Sequence, residues 1–340
     1  MSTLSDSPYG ADSSGLICGF QFDPFGKGEV VDGVHAIQRL NGQEVAHAEG
    51  FIWLHFNLSH AAAEKWIRQH LNLPDQFYES LHEGSKSTRV ELDDEMLVAV
   101  VNDVHYDFAF EPSDISTLWL AVGPRLVVTG RLKPLRSIDK LREAVNKGAT
   151  LKSSVELLVH LLHDQGDVLV SIVRATTKHV DDIEDTLLAG RLEPKRANLG
   201  SLRRLLVRLQ RLLAPEPAAL FRLLTKPPGW IHEDDLRELR QSTEEFNVAL
   251  SDMATLQERI KLLQEEIAGR VAEASNRTLY VLTVVTVLAL PINIIAGLLG
   301  MNVGGIPLNE HPFGFWIVVA IIIVFTALAA WIAFRKSRDQ

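Results

Sequence analysis

The chain has one cysteine in 340 residues, Cys18, so it can form no intramolecular disulfide and no cysteine-built metal cage. A lone thiol of this kind reads as a small buried residue in a reducing compartment. Positive charge is also scarce. The formal net charge is −9, which argues against nucleic acid as a partner. No phosphate-binding loop, nucleophile elbow or metal-hydrolase signature occurs, so enzyme readings find no support. Residues 1–15, MSTLSDSPYGADSSG, lack the basic start and apolar core of a secretion signal and read as a disordered lead. One further absence is the most informative. From Leu279 to Met301 there is no Asp, Glu, Lys, Arg or His.

At about 1.5 Å per residue, Leu279–Leu299 makes a helix of roughly 31 Å, enough to cross a bilayer core. On a wheel of about 100° per residue, Asn276, Thr283, Thr286, Asn293 and Gly297 share an arc of roughly 100°, with Leu279, Leu282 and Leu290 on or near it. Such a stripe has two physical readings. Small and amide-bearing residues allow close helix–helix packing; the same oxygens can also line a cation pore, with Leu279 and Leu282 as an apolar constriction that closes by dewetting. The stripe alone does not separate them. Pro291 frees the carbonyl of Val287, which then needs a partner or pore water. A second apolar run, residues 313–334, ends at Arg335, Lys336 and Arg338. Arg270 and Arg277 precede the first span, and the loop from Gly300 to Pro312 has no basic residue. The positive-inside rule then puts both termini in the cytoplasm and the 302–312 loop outside.

Before these spans the chain changes character once. From 16 to 150, the runs LICGFQF, GFIWLHFNL, MLVAVVNDVHY, STLWLAVG and RLVVTG read as strands, with helices at 61–71, 76–82 and 135–147. Several strands are apolar on both faces, so an α/β domain with helices on both sides is expected. Residues 151–230 read as long helices: 154–188, then 194–213 closed by Pro215 and Pro217, then a short one at 220–224. A further helix starts near Ile231 and meets no breaker before Pro291, giving a stalk over 231–278 continuous with the span at 279–301. Its length is on the order of 100 Å. Phe246, Met253, Ile260, Ile267 and Ala274 recur every seven residues, with Ala249, Leu256 and Leu263 at the second seam position. Something packs against that seam.

The order of these parts, with Gly300-Met301-Asn302 closing the first of two C-terminal spans, resembles the CorA superfamily of divalent-cation transport proteins, whose signature is this tripeptide. The longer string GMNVGGIP is similar to its zinc-transporter branch, ZntB. The magnesium branch usually carries an aromatic and acidic residues soon after the tripeptide, whereas the next acid here is Glu310. The resemblance implies a homopentamer in the inner membrane, its five stalks forming a funnel and gate. It implies zinc as the transported ion, possible proton linkage, and no permanently bound cofactor. Gly300, Met301 and Asn302 become the outer entrance, where five amide carbonyls would face a hydrated cation. Asn276, Leu279, Leu282, Thr283, Thr286, Leu290, Asn293 and Gly297 become the pore wall. Without the resemblance, Gly300 and Asn302 read as a helix C-cap in left-handed backbone. A magnesium, cobalt or nickel channel is the alternative within the superfamily; a non-transporting membrane-anchored sensor or scaffold is the alternative outside it.

Zinc favours His, Cys and carboxylate ligands, and the stripe has none. Either zinc passes hydrated or it is read elsewhere, with candidates at His160 and His163, His179 and Asp182, and Glu310 and His311. The acidic group Asp181, Asp182, Glu184 and Asp185 reads as a solvated helix face, or within a funnel as a concentrator of cations. Neither span holds a carboxylate or a histidine, which places any proton effect in the funnel or at Glu310 and His311.

Overall fold

A computed structural model describes residues 10–42, 50–83, 88–93, 95–105, 115–189, 196–301 and 312–336. The chain forms two compact units, Met1–Gln264 and Glu265–Gln340. Asn302, Glu310 and His311 lie outside the described residues.

The first unit is built on seven strands: β1 (Leu16–Phe22), β2 (Gly28–Val30), β3 (Phe51–Asn57), β4 (Arg89–Asp93), β5 (Met96–Val104), β6 (Ile115–Val122) and β7 (Leu126–Arg131). They stand in the order β2-β1-β3-β7-β6-β5-β4. Only β3 and β7 pair in parallel; the other neighbours are antiparallel. Because successive side chains point to opposite faces, the doubly apolar strands split into two cores. Phe20, Phe22, Trp53, Leu97, Ala99, Leu118 and Leu120 look one way. Ile52, Leu54, Phe56, Val98, Val100, Trp119 and Val128 look the other. That second face is covered by α1 (Gly33–Asn41), α2 (Ala63–His70) and α3 (Asp75–His82) through residues such as Ala36, Ile67 and Phe77. The first face carries α4 (Arg136–Asn146), α5 (Ser154–Leu188), α7 (Pro215–Thr225) and the start of α8 (Glu233–Leu299) through Leu141, Leu158, Leu220 and Leu239.

Ser153 caps α5, its hydroxyl accepting from Glu156 N at 2.9 Å while donating to Asp235 at 2.8 Å. His163 lies 3.6 Å from Glu245, and Arg259 reaches Asp181 at 2.7 Å and also Glu184. These pairings ascend together, so α5 and α8 run side by side in the same direction. α6 (Arg196–Leu213) returns between them, with Leu209 and Leu213 beside Val168 and Leu169. Pro215 does not merely end α6: it stands at the first turn of α7, where its missing N–H costs nothing. The heptad seam of α8 is filled by its own chain from Phe246 through Ala249, Met253, Leu256 and Ile260 to Leu263, all buried. Ile267 is half-buried and Ala274 is exposed.

Two buried polar groups tie the helices to the sheet. Asp103 on β5 accepts from Ser137 N at 2.9 Å and Ser137 Oγ at 3.0 Å. Gln165 on α5 donates to Asn102 O at 2.6 Å and to Glu216 on α7 at 3.2 Å. Burial pushes Asp103 up to about 6 and holds Glu216 well above the ordinary carboxyl range. His55 stands 2.8 Å from the Thr129 hydroxyl and accepts from Arg131 Nε at 3.0 Å; burial and that guanidinium keep its pKa well below the usual imidazole value. Cys18 is half-buried on β1 against the first core, and loss of solvent pushes its thiol up to about 12.

In the second unit, α8 continues through Pro291 to Leu299, and α9 (Gly314–Lys336) is 23 residues long. The apolar window of α8 has a mean hydropathy of 2.3, and none of it is buried within the chain.

Candidate cation-conducting face

The upper part of α8 has two faces. Val284, Leu288, Pro291, Ile292, Ile295 and Leu299 are half-covered. At about 100° per residue they cluster on one side, and every one is apolar. Asn276, Thr283, Thr286, Asn293 and Gly297 lie roughly opposite and are exposed, as are Leu279 (56%), Leu282 (61%) and Leu290. The oxygen-bearing stripe is therefore turned away from the covered side.

Its hydroxyls are oriented by the helix itself. Thr283 Oγ1 donates to Leu279 O at 2.8 Å, and Thr286 Oγ1 donates to Leu282 O at 2.9 Å. With each proton spent on a carbonyl one turn back, what faces outward is lone pairs. Acceptors presented by these two hydroxyls suit the water shell of a cation, whose protons point outward.

Gly300 continues the helix, its N–H donating to Ala296 O at 2.9 Å. The only described residues with positive φ are Gly15, Gly26, Gly148 and Glu95, so Gly300 is not the left-handed cap considered from sequence. A Cβ here would sit 3.0 Å from Ala296 O, on the preceding turn of the same helix. Met301 follows, about half exposed.

His163 faces Glu245, and His179 Nδ1 lies 2.9 Å from Ala175 O on its own helix. His160 is half-buried and Asp182 is exposed. Of the acidic group, Asp181 and Glu184 pair with Arg259. Among the described residues, no three His, Cys, Asp or Glu side chains gather as a metal site. Sequence reasoning missed the buried Asp103–Gln165–Glu216 group, whose members are scattered over more than a hundred positions and carry no local pattern.

Residues 48–336 match the family described as CorA-like Mg2+ transporter protein. The divalent cation transporter CmaX of Pseudomonas aeruginosa is 30% identical over 329 residues, 96% of this chain and 97% of its own. The zinc transport protein ZntB of Yersinia enterocolitica is 26% identical over 301 residues, 88% of this chain and 92% of its own. Both are named as transporters rather than enzymes. The solved structure of full-length CmaX superposes with a TM-score of 0.80 at 29% identity, covering 96% of this chain and 99% of that one. With a sheet-bearing soluble unit, a long helix turning apolar and a family match over most of its length, the chain belongs to the CorA-like Mg2+ transporter family.

Proposed function

We propose that the chain transports divalent cations, zinc foremost, across the inner membrane as a homopentamer with both termini in the cytoplasm. The observation that carries this reading is the exposed, uncharged, oxygen-bearing stripe of α8, opposite the helix's covered apolar side. Five such stripes around one axis make an uncharged, oxygen-dotted path through hydrocarbon. Arg270 and Arg277 lie before the apolar stretch and Arg335 and Lys336 after the next, which favours this orientation. In this reading Asn302, with Gly300 and Met301, forms the outer selectivity ring; Thr283, Thr286 and Asn293 carry the ion's waters; Asn276 marks the inner mouth. Relatives named for zinc and for divalent cations support the choice of substrate.

Magnesium is the second reading. The stripe offers no His or Cys, the ligands that distinguish zinc from harder ions. Purified protein in liposomes, with a zinc-sensitive dye inside and magnesium as competitor outside, separates the two. Zinc influx that survives excess magnesium, and that falls at least tenfold in Asn302→Ala, is the expected result. Flux unchanged by Asn302→Ala refutes the selectivity ring. Magnesium flux without zinc flux establishes the second reading, and no flux of either ion leaves a membrane-anchored scaffold.

A further inference from the structure

One concentration of charge lies outside the proposed transport path. On α6, Arg204, Arg208 and Arg211 follow at spacings of four and three, so they stand in one row, with Arg203 beside it. The opposite side of the helix fixes their direction: Leu202, Leu205, Leu206, Leu209 and Leu213 are buried. The arginines line a groove of about 490 Å³ that Gln264 of α8 closes on the far side. In a chain of net charge −9, four guanidinium groups in one groove call for a counter-charge.

Several arginines elsewhere have one. Arg259 pairs with Asp181 and Glu184, Arg142 with Asp139, and Arg68 with Glu64. Among the described residues, Arg203, Arg204, Arg208 and Arg211 have no carboxylate within 4.0 Å. A second observation comes from the facing helix. Gln257 lies seven residues before Gln264 on the same stripe of α8, and its buried side-chain nitrogen has no acceptor among the described residues. The groove is thus rich in donors, with no acidic group along it.

We propose that this groove binds a soluble linear phosphate anion, of the class of tripolyphosphate or a nucleoside triphosphate. Phosphate oxygens only accept, and the planar arginine fork meets two at once. The row from Arg204 to Arg211 spans roughly 10 Å along the helix, the reach of a short phosphate chain rather than of a long polymer. Such an anion also chelates divalent cations through the same oxygens, so the groove and the cation compete for it. Occupancy falls as free divalent cation rises, which gives the soluble unit a means of registering the cation on its own side of the membrane.

Calorimetric titration of the full-length protein in detergent with sodium tripolyphosphate, in chelator, tests this. Saturable binding of one anion per chain is expected, weakened by excess magnesium. The Arg204→Gln/Arg208→Gln double variant should bind at least about a hundredfold more weakly, about tenfold per arginine. Arg204→Lys keeps charge but not the fork and should fall between; it also guards against a double variant that fails to fold. Arg237→Gln, an exposed arginine paired with Asp234, should bind like the parent. Absence of binding, or parent-like binding by the double variant, overturns the proposal. So does binding confined to vesicles of anionic phospholipid, which would make the ligand a headgroup. A double variant whose mass changes in light scattering without added anion would assign the arginines to contact between copies, and would overturn it as well.

Discussion

Helix α8 contains two kinds of helix under one set of backbone hydrogen bonds. Up to Leu263 its seam residues are buried by α5, α6 and the sheet-facing helices of the same chain, and its ion pairs are made at home. From Glu265 onward the pattern inverts. The most apolar part of the helix has none of its window buried, and its polar side chains stand exposed. In water, that much exposed hydrocarbon costs about 25 cal/mol for each Å². The first half therefore draws its stability from the fold, whereas the second draws it from its surroundings, lipid and, in the proposed assembly, copies of itself. The heptad repeat runs through both halves, so repeat alone does not tell which partner fills a seam.

The largest expected break in this comparison is functional. Thr283→Val with Asn293→Leu keeps the helix apolar but removes the outward oxygens. Cation flux into liposomes should drop at least tenfold while the urea midpoint of the soluble unit stays unchanged. An unchanged flux would return the stripe to a packing role. Next comes stability. Phe246, 2% exposed, packs near Gly166 of α5, and Phe246→Ala should cost about 3–5 kcal/mol in the unfolding of that unit, followed by tryptophan fluorescence through the buried Trp53. A loss below about 1 kcal/mol would mean that copies of the chain, rather than the chain itself, hold the seam.

The smallest effect concerns pH. The fold holds the Glu216 and Asp103 carboxyls above their ordinary values, so it keeps protons that the unfolded chain sheds. Their contribution is fully present below about pH 4 and is lost as pH rises through the folded values, near 6 for Asp103. His55 acts in the other direction. Buried neutral, it costs stability as pH falls below about 6.5. Glu216→Gln should isolate the first trend: parent and variant nearly coincide at low pH, and the variant gains relative stability as pH rises. A difference independent of pH would show that Glu216 keeps its ordinary acidity.

Much of this architecture is legible in the sequence. Ser154–Leu188 is bounded by its serine cap and its periodicity, and α8 by the lack of any breaker. The doubly apolar strands announce helices on both faces. What is hidden has physical reasons. β4, RVELD, has five residues, two of them apolar, at a sheet edge; β2 has three residues; α1 rests on Asp32 as cap and on little hydrophobic surface. Strand order and the parallel β3–β7 pair depend on contacts between distant segments. In the conducting face, residue types and stripe can be read directly, but the inward-donating hydroxyls and the contact behind Gly300 need coordinates. The arginine row was there to be read at its helical spacing; its lack of carboxylate neighbours was not.

One consequence follows from Cys18. Loss of solvent holds the pKa of its thiol well above neutral pH, so little of it is ionised there. Because only the ionised form attacks alkylating reagents, the native chain is close to chemically silent toward them. A single cysteine installed at 283, 286 or 293 would then report its own access to water, position by position, against almost no background.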